Sequence, residues 1–410
     1  MFRGAGENDL VIVSPLPEVT NRLHGVKCIP NFYVLIDGNR RRFRNVRAFW
    51  LAFKLLLNSW MMKRGKDPLM LNSKELRFLQ AFHDCKAFLV VGGGILRSSA
   101  CFFSSNASGL FPKCFEILLA KKFGKPVFAG AQTIGPFEKG NWCSFFGKLF
   151  VRLTLNRVDV LTVRDFYSER LLRNMGVKVN VKVVPDDSYN VAPVPKDVGV
   201  NLLSKVNIDV QKLRGLGKLV VGVSLRAWSM VSERKKLRAK LLRVLQALSR
   251  EGKYHFVFIP THASRHLPRV VRVAEEIITR KIGEENCTFV RHPYTWREIK
   301  AFFGLMDVVI AVSFHSAVFS VSMNVPTLGL YEGEYYCMKM QGIFDLVGLS
   351  SFALDAAKAD FSEILSRFKQ LVNQRSKIRK FLTEKNVSLS RNCGFATKTL
   401  IQIFNECSCA

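Results

Sequence analysis

The feature that most constrains this chain is an alternation. Short runs rich in Val, Ile and Phe are followed, again and again, by segments of helical length with one apolar face. Such runs read as strands buried on both sides, and strands separated by helix-length segments pair in parallel through crossovers. The pattern predicts an α/β fold. In the first half, strands are expected at "DLVIVSP" (9–15), "YVLI" (33–36), "AFLVVGG" (87–93), "PVFAGAQ" (126–132), "VDVLTVR" (158–164) and "VNVKVVP" (179–185).

Between 190 and 218 the text turns to prolines and glycines without a strong period, which suits a linker. A second series then begins, with strands at "KLVVGVSLR" (218–226), "YHFVFIP" (254–260), "CTFVRH" (287–292), "DVVIAVS" (307–313) and "PTLGLY" (326–331), and helices between them. The expected organisation is two doubly wound parallel-sheet, Rossmann-like domains, over 1–195 and 218–358, joined by a linker at 196–217. A helical segment follows over 359–410. Open sheets of this kind bind ligands beyond the carboxyl ends of their strands, so two of them are expected to face a shared cleft. Residues that carry chemistry are therefore sought just after strands.

Charge narrows the partners. The 62 Lys and Arg against 32 Asp and Glu give a formal net charge of +30, which attracts phosphates, acidic glycans, nucleic acid or an anionic membrane face. The basic residues are spread through both halves and form no recognised nucleic-acid module, which argues against nucleic acid as the partner. Ten cysteines without paired C-x-x-C spacing, and no signal peptide at the start, point to reduced thiols and a cytoplasmic setting. The terminal Cys407-Ser408-Cys409-Ala410 lacks the aliphatic residues of a prenylation signal. The segment "FWLAFKLLLNSWMM" (49–62) is too short, and too interrupted by Lys54, to span a bilayer. Two readings of it stand. With Arg40, Arg41, Arg42 and Arg44 upstream it is a basic amphipathic helix for peripheral contact with an anionic membrane, or it is an ordinary surface helix docked on a sheet.

Several strand ends carry candidates. Gly92, Gly93 and Gly94 let backbone N–H groups approach a ligand or simply make a tight turn. "GAQTIGPF" repeats the theme with Gln132. "TVRDFYSERLL" sets Arg164 and Asp165 at a strand end, the first suited to a carboxylate or phosphate and the second to capping the next helix. Asp186 and Asp187 follow another strand, where they bind sugar hydroxyls or close a turn. Arg226 and His262 follow the first two strands of the second series. His315 follows the strand "DVVIAVS" and opens the helix "HSAVFSVSM", which places its ring at a helix N-terminus that favours anions. "YEGEYYCMKMQG" then adds Tyr335, Lys339 and Gly342. The seven histidines and ten cysteines show no metal-ligand spacing.

The ordered set "VVGGGIL", "AQTIGPF", "TVRDFYSERLLRNMG", "VVPD", "GVSLRAW", "FIPTH", "SFHSAVFSVSMNVPTLGLY" and "YYCMKMQG" resembles the polysaccharide pyruvyl transferase family over about residues 9 to 355. The resemblance implies a two-domain fold like that of the glycosyltransferase B class. It also implies transfer of pyruvate from phosphoenolpyruvate to two hydroxyls of a sugar or lipid-linked glycan, as a ketal. No cofactor is implied, phosphoenolpyruvate being the donor substrate. Family positions fall on Gly92 to Gly94, Arg164, Asp165, Arg226, His315 and Lys339. The family usually has an arginine where this chain has Ser313, and tends to begin with a strand and a glycine-Asn-x-Gly-Asp loop, whereas "MFRGAGENDL" reads as starting after that element.

On that reading His315 is the acid/base, and Arg226, Lys339 and the helix N-terminus meet the donor's two anionic groups. Gly92, Gly93, Gly94, Gln132, Arg164, Asp165, Asp186, His262, Ser313, Tyr335 and Gly342 complete the substrate site. A nucleotide-sugar-dependent glycosyltransferase on the same plan is the first alternative. A basic nucleic-acid-binding protein is the second.

Overall fold

The computed structural model describes residues 10–14, 16–36, 44–91, 93–94, 96–98, 110–137, 142–224, 235–261, 267–291 and 294–408. Its strands pair in parallel, as the apolar runs predict, and the chain divides into two units. The fold is α/β with two Rossmann-like halves.

The first unit comprises Met1–Val163, Tyr167–Val183 and Gly394–Ala410. A small pair, β1 (Ile12–Ser14) and β2 (Cys28–Pro30), accompanies a second pair, β4 (Leu96–Ser98) with β6 (Ile134–Phe137), and a four-stranded sheet. That sheet runs β3-β5-β7-β8, from β3 (Phe88–Val91), β5 (Val127–Gln132), β7 (Val160–Val163) and β8 (Val181–Val183). Every residue of β5 is buried, as an inner strand covered on both faces requires. On one side Phe128 packs with Ala396 and Leu400 of the Phe395–Ser408 helix.

The second unit comprises Arg164–Phe166 and Val184–Cys393. Its six strands are β9 (Leu219–Ser224), β10 (Tyr254–Ile259), β11 (Cys287–Phe289), β12 (Val308–Ala311), β13 (Thr327–Tyr331) and β14 (Ala353–Asp355). They lie in the order β11-β10-β9-β12-β13-β14. The order reverses between β9 and β12, the place where open α/β sheets leave a crevice beyond their strand ends.

Four expectations are corrected. "YVLI" (33–36) is part of a helix, Phe32–Ile36, although Tyr, Val and Ile favour strands. Tertiary packing overrides that preference: Phe32 and Ile36, one helical turn apart, are both buried, and the Phe32 N–H donates to Glu116 Oε1 at 2.9 Å. The expected linker at 196–217 holds two helices, Lys196–Ser204 and Val210–Gly215, with Gly199 close against Ala301 and Leu305. The first domain ends near 183 instead of 195, because Tyr189 is buried in the second unit and its carbonyl takes a 2.5 Å hydrogen bond from Lys300 Nζ. The segment after 359 is helical but divided: Phe361–Asn373 and Arg375–Asn392 belong to the second unit, Phe395–Ser408 to the first.

Candidate active site

In the second unit, the strand-order reversal is marked by hydroxyls. β9 ends on Ser224, Thr261 follows β10, and Ser313 follows β12. Ser313 Oγ lies 2.9 Å from Thr261 Oγ1 and accepts from Ser224 Oγ at 3.3 Å, so one side chain ties three strand ends together. Ser313 is also the N-cap of the Phe314–Ser322 helix, in a capping box with Ser316. Its hydroxyl therefore serves the scaffold, at the position where an arginine was expected to meet the donor.

The cap fixes the first turn of this helix. Phe314 and His315 occupy its first two positions, where the helix dipole presents its positive end. His315 is exposed, and its ring lies 5.5 Å from that of Phe314 and 6.0 Å from that of Trp296. The sequence places this histidine at a corner between buried elements, and the structure shows it there.

Arg164 and Asp186 form a buried ion pair, Nη1 to Oδ2 at 2.5 Å, with both side chains under a tenth exposed. The Arg164 guanidinium also stands over the Phe314 ring, 4.2 Å from its centroid. Lys339 Nζ lies 5.8 Å from the same centroid and 4.3 Å from that of Tyr335. An aromatic face holds a cation without neutralising it, so the ring keeps two positive groups close together. Burial alone would raise the pKa of Asp186; the charges of Arg164 and His315 and the Ser188 hydroxyl reverse that and hold the carboxyl below its ordinary value.

Asp187 is the counterpart. Burial, and then the neighbouring Asp186 charge, push its pKa up to about 6 against the pull of Arg164. Its Oδ2 is buried and has no hydrogen-bond partner among the described residues. Lys300, which braces the same turn through Tyr189, is itself pushed down to about 8 by burial.

Asp165 is buried and lies against Gly342 in the Glu334–Val347 helix. A Cβ at 342 would come 2.5 Å from Asp165 Cβ, so only glycine lets the helix approach. The structure thus brings together Arg164, Asp165, Asp186, Ser313, His315, Tyr335, Lys339 and Gly342 in one unit. Arg226, His262 and Gly92 lie outside the described residues.

Gly93, Gly94 and Gln132 belong to the first unit. Gly93 has φ of +91°, and its carbonyl accepts from the Thr133 N–H at 3.2 Å. Gln132 is fully buried; its Nε2 donates to the carbonyls of Gly130 at 2.7 Å and Val90 at 3.3 Å, while Oε1 finds no partner among the described residues. Ala131 before it sits at φ +47°, where the β5–β7 register slips, a strained bulge that re-aims the glutamine.

Sequence reasoning named Ser313 but missed Phe314, Trp296, Ser224 and Thr261 as parts of the site, and gave Asp187 no separate role. A signal existed for the three hydroxyls, since the strands around the reversal end in Ser, Thr and Ser. Among the described residues no three His, Cys, Asp or Glu side chains gather so as to hold a metal ion.

Comparison with known proteins agrees with the fold. The family model described as polysaccharide pyruvyl transferase matches residues 1–334. Among solved structures, a glycosyltransferase from Rickettsia africae ESF-5 is similar with a TM-score of 0.53 at 12% identity, covering 97% of this chain and 89% of that one. The UDP-GlcNAc 2-epimerase from Neisseria meningitidis, solved with UDP-GlcNAc, gives 0.52 at 11% identity, covering 96% and 90%. At such identities the likeness concerns the fold alone, which is of the glycosyltransferase B type. No curated protein matches the chain in sequence.

Proposed function

Because the chain belongs to the polysaccharide pyruvyl transferase family, we propose that it moves pyruvate from phosphoenolpyruvate onto two hydroxyls of a sugar or lipid-linked glycan, forming a cyclic ketal and releasing phosphate. The observation that carries this reading is the gathering of His315, Lys339 and the Arg164–Asp186 pair about the single ring of Phe314. The donor has a carboxylate and a phosphate, and both call for fixed cations at a site poor in water.

The chemistry divides among these groups. His315 protonates the methylene carbon of the donor, which turns C2 into a cationic centre that a sugar hydroxyl attacks. A second hydroxyl then attacks C2, and the C–O bond to phosphate breaks. The two hydroxyl protons released balance the one taken up by the methylene carbon and the one that leaves with phosphate. Lys339 and the N-terminus of the Phe314–Ser322 helix hold the donor's anionic groups. Arg164, matched by Asp186, orients Phe314 and the surface around it. A positioned histidine contributes about 100- to 10,000-fold.

The test is phosphate release from phosphoenolpyruvate with a glycan acceptor, run beside a panel of nucleotide sugars. Release with the former and loss of it in His315→Ala support the reading. Turnover of a nucleotide sugar alone, or undiminished turnover in the variant, overturns it.

A further inference from the structure

The Arg44–Met62 helix of the first unit has two apolar sides. One is docked: Ala48, Leu51, Ala52 and Leu55 are buried. The other carries Phe49, Trp50, Phe53, Leu56, Leu57 and Trp60, at the spacing of one helical stripe, and is exposed, Trp50 by 65% and Phe49 by 64%. The larger side chains are thus on the outward face and the smaller ones underneath. A helix apolar all round normally has a second apolar surrounding to meet. The Trp142–Leu155 helix repeats the arrangement with Phe145, Phe146, Leu149 and Leu153 exposed. Both helices pack against the Leu110–Lys122 helix.

Charge says what the surrounding is. Neither the Arg44–Met62 nor the Trp142–Leu155 segment contains an Asp or Glu. Arg47, Lys63, Arg64 and Lys66 are exposed on or just past the first helix, and Arg152 on the second. The Arg64 guanidinium lies 3.8 Å from the Trp60 ring centroid, and Trp50 stacks on Phe53 at 5.8 Å. Tryptophans flanked by arginine and lysine, above a row of Leu and Phe, suit the boundary between lipid headgroups and acyl chains. No described helix is long and apolar enough to cross a membrane.

We propose that the outward face of the Arg44–Met62 helix, extended by that of the Trp142–Leu155 helix, docks this protein on an anionic lipid bilayer. The helix lies in the interface, its rings among the upper acyl chains and its cations on the lipid phosphates. This docking does not depend on which reaction the second unit catalyses.

The experiment is co-sedimentation of the full chain with vesicles of equal parts phosphatidylglycerol and phosphatidylcholine, against vesicles of phosphatidylcholine alone. Binding to the anionic vesicles is expected to weaken about tenfold or more in neutral vesicles or at high salt. Trp50→Glu with Phe53→Glu, whose side chains are exposed, is expected to weaken it by at least as much while thermal unfolding stays unchanged. Brominated acyl chains are expected to quench tryptophan fluorescence of the parent and less that of the variant. Failure of the parent to bind anionic vesicles overturns the proposal, as does unaltered binding by the variant. So does a dimer in light scattering that the variant abolishes, which would give the face to a second copy. Should the variant unfold, Trp60→Gln alone provides the same comparison.

Discussion

The guanidinium of Arg164 lies 4.2 Å from the centroid of the Phe314 ring, so a buried ion pair with Asp186 on one side continues into an aromatic face on the other. The ring is held by two independent devices, the capping box that starts its helix and the cation above it. Phe314→Leu keeps apolar bulk and removes the π-face. On the proposed reaction, kcat/KM for phosphoenolpyruvate is expected to fall about 2- to 30-fold, the range of one or two cation–π contacts, with little change in melting temperature. Steady-state phosphate release checks this.

Arg164→Met leaves the Asp186 carboxylate buried without its cation. Breaking one side of such a pair costs about 3–5 kcal/mol. Arg164→Met with Asp186→Asn is expected to recover part of that loss, since no charge remains buried. Urea unfolding of the parent, single and double variants measures both.

Gly342→Ala is expected to reverse a usual trend. Alanine in a helix interior normally gains about 1 kcal/mol over glycine. Here the new methyl would stand 2.5 Å from Asp165 Cβ, and overpacking of that kind costs about 1–3 kcal/mol. The variant should melt lower than the parent, and a higher melting temperature would contradict the packing described.

Asp187 predicts a pH-dependent gain. Its pKa is about 6 in the folded chain and ordinary, near 3.8, when unfolded, so the folded state binds its proton more tightly. The associated stability is complete below 3.8 and is lost as pH rises through 6. Asp187→Asn is therefore expected to stabilise the protein by up to about 3 kcal/mol at about pH 8 and by almost nothing at about pH 3.5. Denaturant titrations at the two pH values decide it. A gain in stability with a loss of activity would mark the acid as part of the working site.

The second half was legible because its strands are continuous apolar runs and its helix starts carry caps: Thr295 with Glu298, and Ser313 with Ser316. His315 could be placed from the chain alone, since a polar break between two apolar runs marks the joint between two buried elements. The Arg164–Asp186 pair could not, because 22 residues separate the partners and nothing local joins them. Residues 33–36 misled through their β-branched and aromatic content, which the burial of Ile36, and of Phe32 against Phe115, overrides. Residues 196–217 misled because their glycines sit where helices pack closely or end: Gly199 meets Ala301, and Gly217 takes φ +75°. Ser313 stood in the expected place with a different task, a distinction that only the hydroxyls of Ser224 and Thr261 reveal.

The Phe395–Ser408 helix covers a strip of the first sheet through Ala396 and Leu400, although more than 200 residues of the other unit come between. During synthesis the first unit leaves the ribosome with Phe128 still bare, and it is completed only when Phe395–Ser408 has been translated. A nascent first half is then a client for chaperones, and stop codons just before Phe395 are predicted to harm the first unit more than the second.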